Sequence, residues 1–261
     1  MDKSAVGRIG GLRRIILHGN PGTKEGRRLG GLRSFQSHRK KEGSPFIRRK
    51  IFIPKKNKFL AEFIGILLGD GGITSRQVTI TLHKQDDKEY ARYVSALTEK
   101  LFFLSAPVKN RPHTNVSIIL ISRTALVDFL QKMNISSGNK VKNQVDVPHW
   151  IKKNKFLRTF CIRGLFDTDG CFYVDKHFIR DKIYKNAGMN FTNRSVPLLQ
   201  FFKNTLIEIG FAPTQTSKYC IVLRKETDIV RYFSEIGSSN SKHINKFRAY
   251  LEEKGRVPKR S

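Results

Sequence analysis

The chain has 261 residues, 39% of them hydrophobic, and it carries 50 Lys and Arg against 21 Asp and Glu, a formal net charge of +29. This length and apolar content suffice to bury the core of one large domain or two ordinary ones, which excludes disorder of the whole chain. The excess of positive charge is typical of proteins that bind a polyanion. Nucleic acid is the leading partner class, with a solvated basic face as the alternative.

The three cysteines, Cys161, Cys171 and Cys220, have no CxxC spacing, so the sequence indicates neither a disulfide framework nor a zinc site. No apolar run is long enough to span a bilayer, and the basic beginning lacks the apolar segment of a secretion signal. We therefore expect a soluble, intracellular protein that does not enter a membrane. The host compartment, cytoplasm or organelle, stays open.

The first 50 residues are basic and rich in glycine, with 14 Lys and Arg against 3 acids, a net charge of +11. Within them Arg8-Ile-Gly-Gly-Leu-Arg13 recurs as Arg28-Leu-Gly-Gly-Leu-Arg33. A repeated small basic unit of this kind predicts an extension that follows the phosphates of DNA. A flexible basic tail with chance similarity is the alternative.

Two short segments further along share one pattern: Phe63-Ile-Gly-Ile-Leu-Leu-Gly-Asp-Gly71 and Ile162-Arg-Gly-Leu-Phe-Asp-Thr-Asp-Gly170. Each is typical of an apolar helix that ends in one acid and one glycine, and we expect Gly71 and Gly170 to end the helices in a left-handed conformation. An aspartate at a helix C-terminus meets the negative end of the helix dipole, which is unfavourable unless a cation offsets it. The repeat therefore predicts that Asp70 and Asp169 bind metal. For a single such motif, an ordinary turn residue before glycine would be the better interpretation.

Helix and strand patterns follow each motif in the same order, αββαββα, which predicts an α+β fold of two pseudo-twofold units. The first unit is predicted to contain a strand at 77–83, a helix at 86–103, two strands within 107–122 and a helix at 124–133. The second is predicted to contain strands near 171–175 and 188–193, a helix at 196–209, two strands within 214–224 and a helix at 226–236.

Small residues lie four apart in both motifs: Gly65 and Gly69 in the first, Gly164 and Thr168 in the second. This spacing lets two helix backbones approach closely, so the motif helices are predicted to pack together and to bring their two final acids into one site. Asp167 has Leu68 at its place in the first motif. We therefore predict a structural role for Asp167, such as accepting hydrogen bonds from nearby backbone donors.

A lysine ends a similar segment in each unit: Ile135-Ser-Ser-Gly-Asn-Lys140 resembles Ile236-Gly-Ser-Ser-Asn-Ser-Lys242. Paired carboxylates in a basic protein favour Mg²⁺, with Mn²⁺ as a substitute, and metal-assisted hydrolysis of a phosphodiester. Lys140 and Lys242 are the candidates for stabilising negative charge in the transition state, and Lys142 competes with Lys140.

The two motifs, with Gly138-Asn-Lys-Val-Lys-Asn and Val147-Pro-His-Trp-Ile151 between them, resemble the single-chain form of the LAGLIDADG homing endonucleases over about residues 55–250. The resemblance implies a monomer whose two four-stranded antiparallel sheets form a saddle on double-stranded DNA. It also implies Mg²⁺-dependent double-strand breaks at a long target, in intron homing. Asp70 and Asp169 would be the metal ligands, with Gly69 and Thr168 beside them.

Strand alternation predicts which side chains face the DNA, because polar residues on half-buried strands point away from the helices. Any one of them is as suited to a phosphate, a water molecule or a neighbouring residue as to a base. They are Gln77, Thr79, Thr81 and His83 in the first half, and Asn190, Thr192, Arg194, Lys218 and Arg224 in the second.

The expected organisation is a basic DNA-binding extension at 1–50, a first subdomain at 51–146, a linker at 147–155, a second subdomain at 156–253 and a basic tail at 254–261. Met1 and the Lys-Arg-Ser end favour a freestanding or intron-encoded protein over an intein. Two other functions on the same scaffold remain open. One is an RNA maturase that assists intron splicing, and the other is a DNA-binding regulator that does not cut.

Overall fold

The computed structural model describes residues 3–20, 22–40, 49–179 and 182–255. The chain divides into two compact units, Met1–Arg49 and Lys50–Ser261. In the described part of the chain, no helix is both long enough and apolar enough to cross a membrane.

In its described residues, the N-terminal unit, Met1–Arg49, contains two helices, α1 (Lys3–His18) and α2 (Lys24–Arg39). The turn between them contains Gly19 at φ +77°, and the Thr23 side chain caps α2 by accepting a hydrogen bond from the Gly26 amide at 3.0 Å. Both copies of the basic repeat therefore lie within helices. Their binding to DNA stays a prediction.

The first half of the larger unit, Lys50–Ser261, has the predicted order of elements. It comprises α3 (Lys58–Asp70), β1 (Gly71–Ile73), β2 (Val78–His83), α4 (Lys88–Phe102), β3 (Val108–Asn110), β4 (Val116–Ile121) and α5 (Thr124–Lys132). The strands form an antiparallel sheet in the order β1-β2-β4-β3.

The second half repeats this order after a short helix α6 (His149–Lys152) in the predicted linker. It comprises α7 (Lys155–Asp169), β5 (Gly170–Ile179), β6 (Lys182–Thr192), α8 (Val196–Glu208), β7 (Thr214–Ser217), β8 (Cys220–Leu223), α9 (Glu226–Glu235) and α10 (Ser241–Glu253). Its antiparallel sheet has the matching order β5-β6-β8-β7, so the predicted α+β fold with two four-stranded sheets is confirmed. The longer β5–β6 hairpin and helix α10 were not predicted.

The motif helices α3 and α7 begin in the same way and lie in the core. Asn57 and Asn154 cap them by accepting hydrogen bonds from the amides of Leu60 and Leu157, at 3.0 and 3.1 Å. Every residue of α3 from 60 to 68 is buried. A helix that is buried on all sides places its last residue at a fixed position, which here is the acid of the motif.

Glycines allow α3 and α7 to touch along their main chains. A Cβ atom at Gly65 would overlap the carbonyl oxygen of Cys161, and one at Gly164 would overlap the carbonyl oxygen of Glu62. Nearer the site, a Cβ atom at Gly69 would overlap the side chain of Thr168. All four small residues predicted for the helix interface therefore lie in it.

The prediction that Gly71 and Gly170 are left-handed was wrong. Their φ angles are −81° and −97°, with ψ near that of a strand, because each residue passes directly from a helix into β1 or β5. Glycine is required for space instead, since a Cβ atom would overlap the carbonyl oxygen of Leu67 at Gly71 and that of Phe166 at Gly170.

Candidate active site

Asp70 and Asp169 lie together where α3 and α7 end. A Cβ atom built on Gly69, the neighbour of Asp70, would lie 3.3 Å from the Asp169 Oδ2 atom. Burial raises the pKa of Asp70 to about 7, and repulsion by Asp169 adds to the rise. Burial also raises the pKa of Asp169. The fold thus holds two carboxylates at a place that disfavours their negative charge, as a cation site does.

Lys140 places its ammonium group against the end of the first motif helix. Its Nζ atom donates hydrogen bonds to the carbonyl oxygens of Leu68, at 3.0 Å, and Gly69. Burial lowers the pKa of Lys140, whereas attraction by Asp169 and Asp70 opposes the fall. Lys142 is exposed, so the structure brings Lys140 rather than Lys142 to the acids.

Lys242 also reaches the site but has a different partner. Its Nζ atom lies 2.7 Å from Asp87 Oδ1, and the two side chains are 28% and 10% exposed. Burial would raise the pKa of Asp87, but hydrogen bonds from Lys242 and Asn240 lower it overall. Lys242 opposes the raised pKa of Asp70, so a lysine of the second half acts on the acid of the first.

Asp167 accepts a hydrogen bond from a backbone donor, as predicted. Its Oδ2 atom accepts from the Ser239 amide at 2.8 Å, its Oδ1 atom accepts from the Ser238 hydroxyl, and its carbonyl oxygen accepts from Asn240 Nδ2 at 3.1 Å. Burial raises the pKa of Asp167 to about 7. Asp167 therefore anchors the segment that carries Lys242.

Sequence analysis missed Asn193, whose Nδ2 atom donates to Asp169 Oδ2 at 2.8 Å. Strand pairing aligns Gly71 with Ile80 and Gly170 with Phe191, so the counterpart of Asn193 in the first half is the buried residue Leu82. A comparison of the two repeats passes over a polar residue that only one half contains.

The predicted DNA-facing residues of the first half follow the expected alternation on β2. Thr81 is exposed, Thr79 donates to the Gly72 carbonyl oxygen at 3.3 Å, and His83 Nδ1 accepts from the Asp86 amide at 3.1 Å. Gln77 precedes the strand and donates to Ser122 Oγ at 3.1 Å.

The same outward face continues onto β4, where its side chains are apolar. The prediction of polar DNA-facing residues did not include them. Ile118 lies opposite Thr81 and Leu120 lies opposite Thr79 in the sheet. Cross-strand partners share a face, so these half-buried side chains lie beside the threonines.

In the second half, Asn190 and Thr192 lie on β6, and Arg194 follows that strand. Lys218 lies in the turn between β7 and β8, with its Nζ atom 5.3 Å from the Tyr219 ring centre. Arg224 directly follows β8 and lines a cavity of about 320 Å³ together with Tyr173 and Asp175. Arg194, Lys218 and Arg224 are exposed and free to meet a phosphate or a base.

The metal-binding capacity of the site rests on oxygen atoms. Within the described residues, no cluster of three or more His, Cys, Asp or Glu has the geometry of a metal site. The two carboxylates and the Gly69 carbonyl oxygen converge on a place where the Lys140 ammonium already lies. The Thr168 hydroxyl donates within its own helix, to the carbonyl oxygens of Gly164 and Leu165.

Comparison with protein families gives a match for the second half of the chain. Residues 157–251 match the model described as a LAGLIDADG-like domain. The matched segment contains Asp169, Asn193 and Lys242.

Solved structures with this fold include the meganuclease I-SmaMI. Its complex with an uncleaved DNA target in the presence of calcium ions has a TM-score of 0.51 at 13% identity, covering 78% of this chain and 95% of that one. Its complex with uncleavable DNA has a TM-score of 0.51 at 10% identity, covering 79% and 93%.

A curated relative by sequence is the replication factor C small subunit of Methanocaldococcus jannaschii, 28% identical over 200 residues. The matched region is 76% of this chain and spans only 10% of that relative's length. The relative's own name therefore describes mostly sequence that this chain does not share.

Proposed function

Residues 157–251 form a LAGLIDADG-like domain within the two-motif fold of single-chain homing endonucleases, and from this premise we propose that the protein is a site-specific DNA endonuclease. It cleaves both strands of a long target as a monomer and acts in intron homing. The observation that carries the proposal is the convergence of Asp70, Asp169 and Lys140 at the contact between two helices that each lead into a sheet.

A divalent cation suits the residues that are present. Asp70 and Asp169 are carboxylates whose negative charge the protein itself compensates poorly, as their raised pKa values indicate. Mg²⁺ prefers oxygen ligands and accepts few of them from protein, keeping water and phosphate oxygens for the rest. We infer that the two carboxylates, with the carbonyl oxygens of Gly69 and Thr168, hold Mg²⁺, and that Mn²⁺ substitutes for it. The DNA complex of I-SmaMI with calcium ions supports a divalent cation in this fold.

When bound, the metal supplies Lewis-acid polarisation of the phosphate and a lower pKa for the attacking water. The protein's own side chains orient the reaction. Asn193 fixes one oxygen of Asp169, so that carboxylate presents its other oxygen in a constant direction. Lys140 adds positive charge that stabilises the phosphorane-like transition state, provided that its ammonium moves off the Gly69 carbonyl oxygen as the site fills.

The sheets supply the interface with DNA in this proposal. Thr79, Thr81 and His83 on one sheet, and Asn190 and Thr192 on the other, lie on faces that the helices leave open. The amide of Asn190 suits bidentate recognition of adenine. The methyl groups of Thr81 and Thr79, beside Ile118 and Leu120, suit contact with the methyl group of thymine. Arg194, Lys218 and Arg224 suit guanine or a phosphate.

The test is cleavage of intronless DNA from the host gene of this reading frame, with Mg²⁺, by wild type, Asp70→Asn and Asp169→Asn. We expect double-strand breaks from the wild type and none from either variant. Glu89→Gln is the matched control, because it removes the same charge from an exposed side chain close in sequence to the site residue Asp87. Tight binding without cleavage by the wild type would contradict the proposal and favour a maturase or a regulator.

A further inference from the structure

The segment that carries Lys242 crosses from its own half to the other. This segment runs from the end of α9 to Lys242 in the first turn of α10, and it meets two acids of the first half: Ser239 Oγ donates to Glu62 Oε1 at 2.5 Å, and Asn240 Nδ2 donates to Asp87 Oδ1 at 3.0 Å. Glu62 is fully buried on α3, and Asp87 precedes α4. Lys242 is therefore placed by residues of the half to which it does not belong.

Asp87 is held in a single orientation. Its Oδ2 atom accepts from the His83 amide at 3.1 Å, while its Oδ1 atom accepts from both Asn240 and Lys242. A side chain with three donors around it and only 10% exposure has little freedom to rotate. Asp87 can thus fix the position of the Lys242 ammonium.

The segment that follows Lys140 in the first half contacts the second half in a similar way, but there a serine takes the place of Asp87. Ser195 precedes α8 as Asp87 precedes α4, and its Oγ atom donates to the Val145 carbonyl oxygen at 2.6 Å, in the segment that follows Lys140. No acid of the described residues forms an ion pair with Lys140, which lies on carbonyl oxygens instead. The two lysines are therefore inequivalent: the Lys140 ammonium lies on carbonyl oxygens at the end of α3, whereas the Lys242 ammonium is paired with the carboxylate of Asp87.

We propose that Asp87 is a positioning residue that holds the Lys242 ammonium in place at the candidate site. This inference rests on the proposed endonuclease function. Two strands require two scissile phosphates, and the pseudo-twofold arrangement assigns one to each motif acid. Because Asp87 acts through Lys242, loss of either residue should slow the strand that depends on Lys242 and leave the other strand unaffected.

The experiment follows the two strands separately in single-turnover cleavage of a target duplex labelled differently on each strand. Lys242→Met is expected to slow one strand on the order of 100-fold, the effect of removing one group that stabilises transition-state charge. Asp87→Asn is expected to slow the same strand about 10-fold, as the loss of an orienting partner does, and to leave the other strand within about 2-fold. Because Asp87 acts through Lys242, the double variant should be no slower than Lys242→Met.

Glu89→Gln provides the matched charge control, because Glu89 is exposed, and it should leave both strands at the wild-type rate. Asp87→Glu keeps the carboxylate but displaces it, so it should slow the same strand even if Asp87→Asn fails to fold. Melting temperature and DNA affinity are measured for every variant. Equal slowing of both strands, or multiplicative effects in the double variant, would overturn the positioning role while wild-type cleavage still stood. A wild type that binds and never cuts would overturn both proposals.

Discussion

Gly65 and Gly164 occupy reciprocal positions, each facing the main chain of the other motif helix. A Cβ atom at Gly65 would lie 3.0 Å from the Leu165 amide nitrogen, and one at Gly164 would lie 2.9 Å from the Ile66 amide nitrogen. Each glycine also faces a carbonyl oxygen, of Cys161 or Glu62, which a Cβ atom would overlap. Backbone contact in both directions leaves the helices no room to adjust on one side only.

Gly164→Ala should therefore destabilise the unit Lys50–Ser261. Forcing one methyl group between two helix backbones costs about 2–3 kcal/mol, or roughly 5–10 °C in Tm for a unit of this size. Thermal unfolding followed by circular dichroism measures the change. Gly11→Ala is the control, because nothing lies within 4 Å of a Cβ atom there and the added methyl group only favours the helix. An unchanged Tm in Gly164→Ala would mean that the helices do not pack this closely.

The repeated αββαββα order could be predicted because β2 alternates strictly between inward and outward residues and the second half repeats the order of elements of the first. The β5–β6 hairpin is longer than predicted for a physical reason. β8 ends opposite Met189, so among the described residues 175–179 and 182–186 pair only with each other, and several of them are exposed. Without a buried face there is no alternation to detect. Helix α10 was missed because its apolar residues, such as Phe247 and Tyr250, are separated by many charges.

The acids of the candidate site were predictable because they occur twice, whereas their surroundings occur once. Asn193 matches a leucine, and Asp87 matches Ser195, so comparison of the halves could not find either one. The repeat also does not indicate that Lys242 of the second half is paired with Asp87 of the first. Contacts that cross a pseudo-twofold axis depend on packing, which sequence periodicity does not contain.

Asp70 should make the metal-free protein less stable at neutral pH than in mild acid. Its pKa in the folded protein is about 7, above the usual 3.8, so between these values the folded state holds a proton that the unfolded state has lost. Stability from this group is therefore lost as the pH rises from about 4 to 7. Asp70→Asn removes the effect, so its Tm should match the wild type near pH 4 and exceed it above pH 7.

The comparison between variant and wild type is needed because His243 has the opposite dependence. Burial lowers the pKa of His243 to about 4, so the unfolded state binds the extra proton between about 4 and 6.5, and stability from this group rises with pH there. The difference in Tm between wild type and Asp70→Asn at each pH does not contain the contribution of His243, because both proteins have it. A difference in Tm that did not grow between pH 4 and pH 7 would contradict the raised pKa of Asp70.

A divalent cation should reverse the cost of the buried acids. Ca²⁺ tests binding while avoiding cleavage, and a ligand that binds only the folded state at a hundred times its Kd stabilises it by about 2.7 kcal/mol. We expect the Tm of the wild type to rise on addition of Ca²⁺ at pH 8 and to rise less at pH 6, where protonated Asp70 competes with the metal. Asp70→Asn and Asp169→Asn should show little response at either pH. A rise as large in these variants as in the wild type would place the metal elsewhere.

Asp167 should matter for stability through its hydrogen bonds with Ser238 and Ser239. Asp167→Ala leaves the Ser239 amide without its acceptor in a part-buried place, which costs about 1–3 kcal/mol, whereas the Ser238 hydroxyl keeps the Asn240 carbonyl oxygen as an acceptor. Asp167→Asn keeps one acceptor and should cost less. Urea unfolding of both variants measures the difference. Equal stability of Asp167→Ala and wild type would show that these hydrogen bonds do not hold the segment that carries Lys242.

The two basic helices at the start of the chain should contribute to DNA affinity through phosphates. Arg8, Arg13, Arg28 and Arg33 are all exposed, and they occupy matching places in the two copies of the repeat. Replacing all four by glutamine in the full chain should weaken binding and flatten the plot of log affinity against log salt, by about 0.9 for each phosphate that the protein no longer neutralises. The cleavage rate on saturating DNA at low salt is the control and should not change, because Asp70 and Asp169 are intact. An unchanged salt slope would mean that these arginines do not bind DNA.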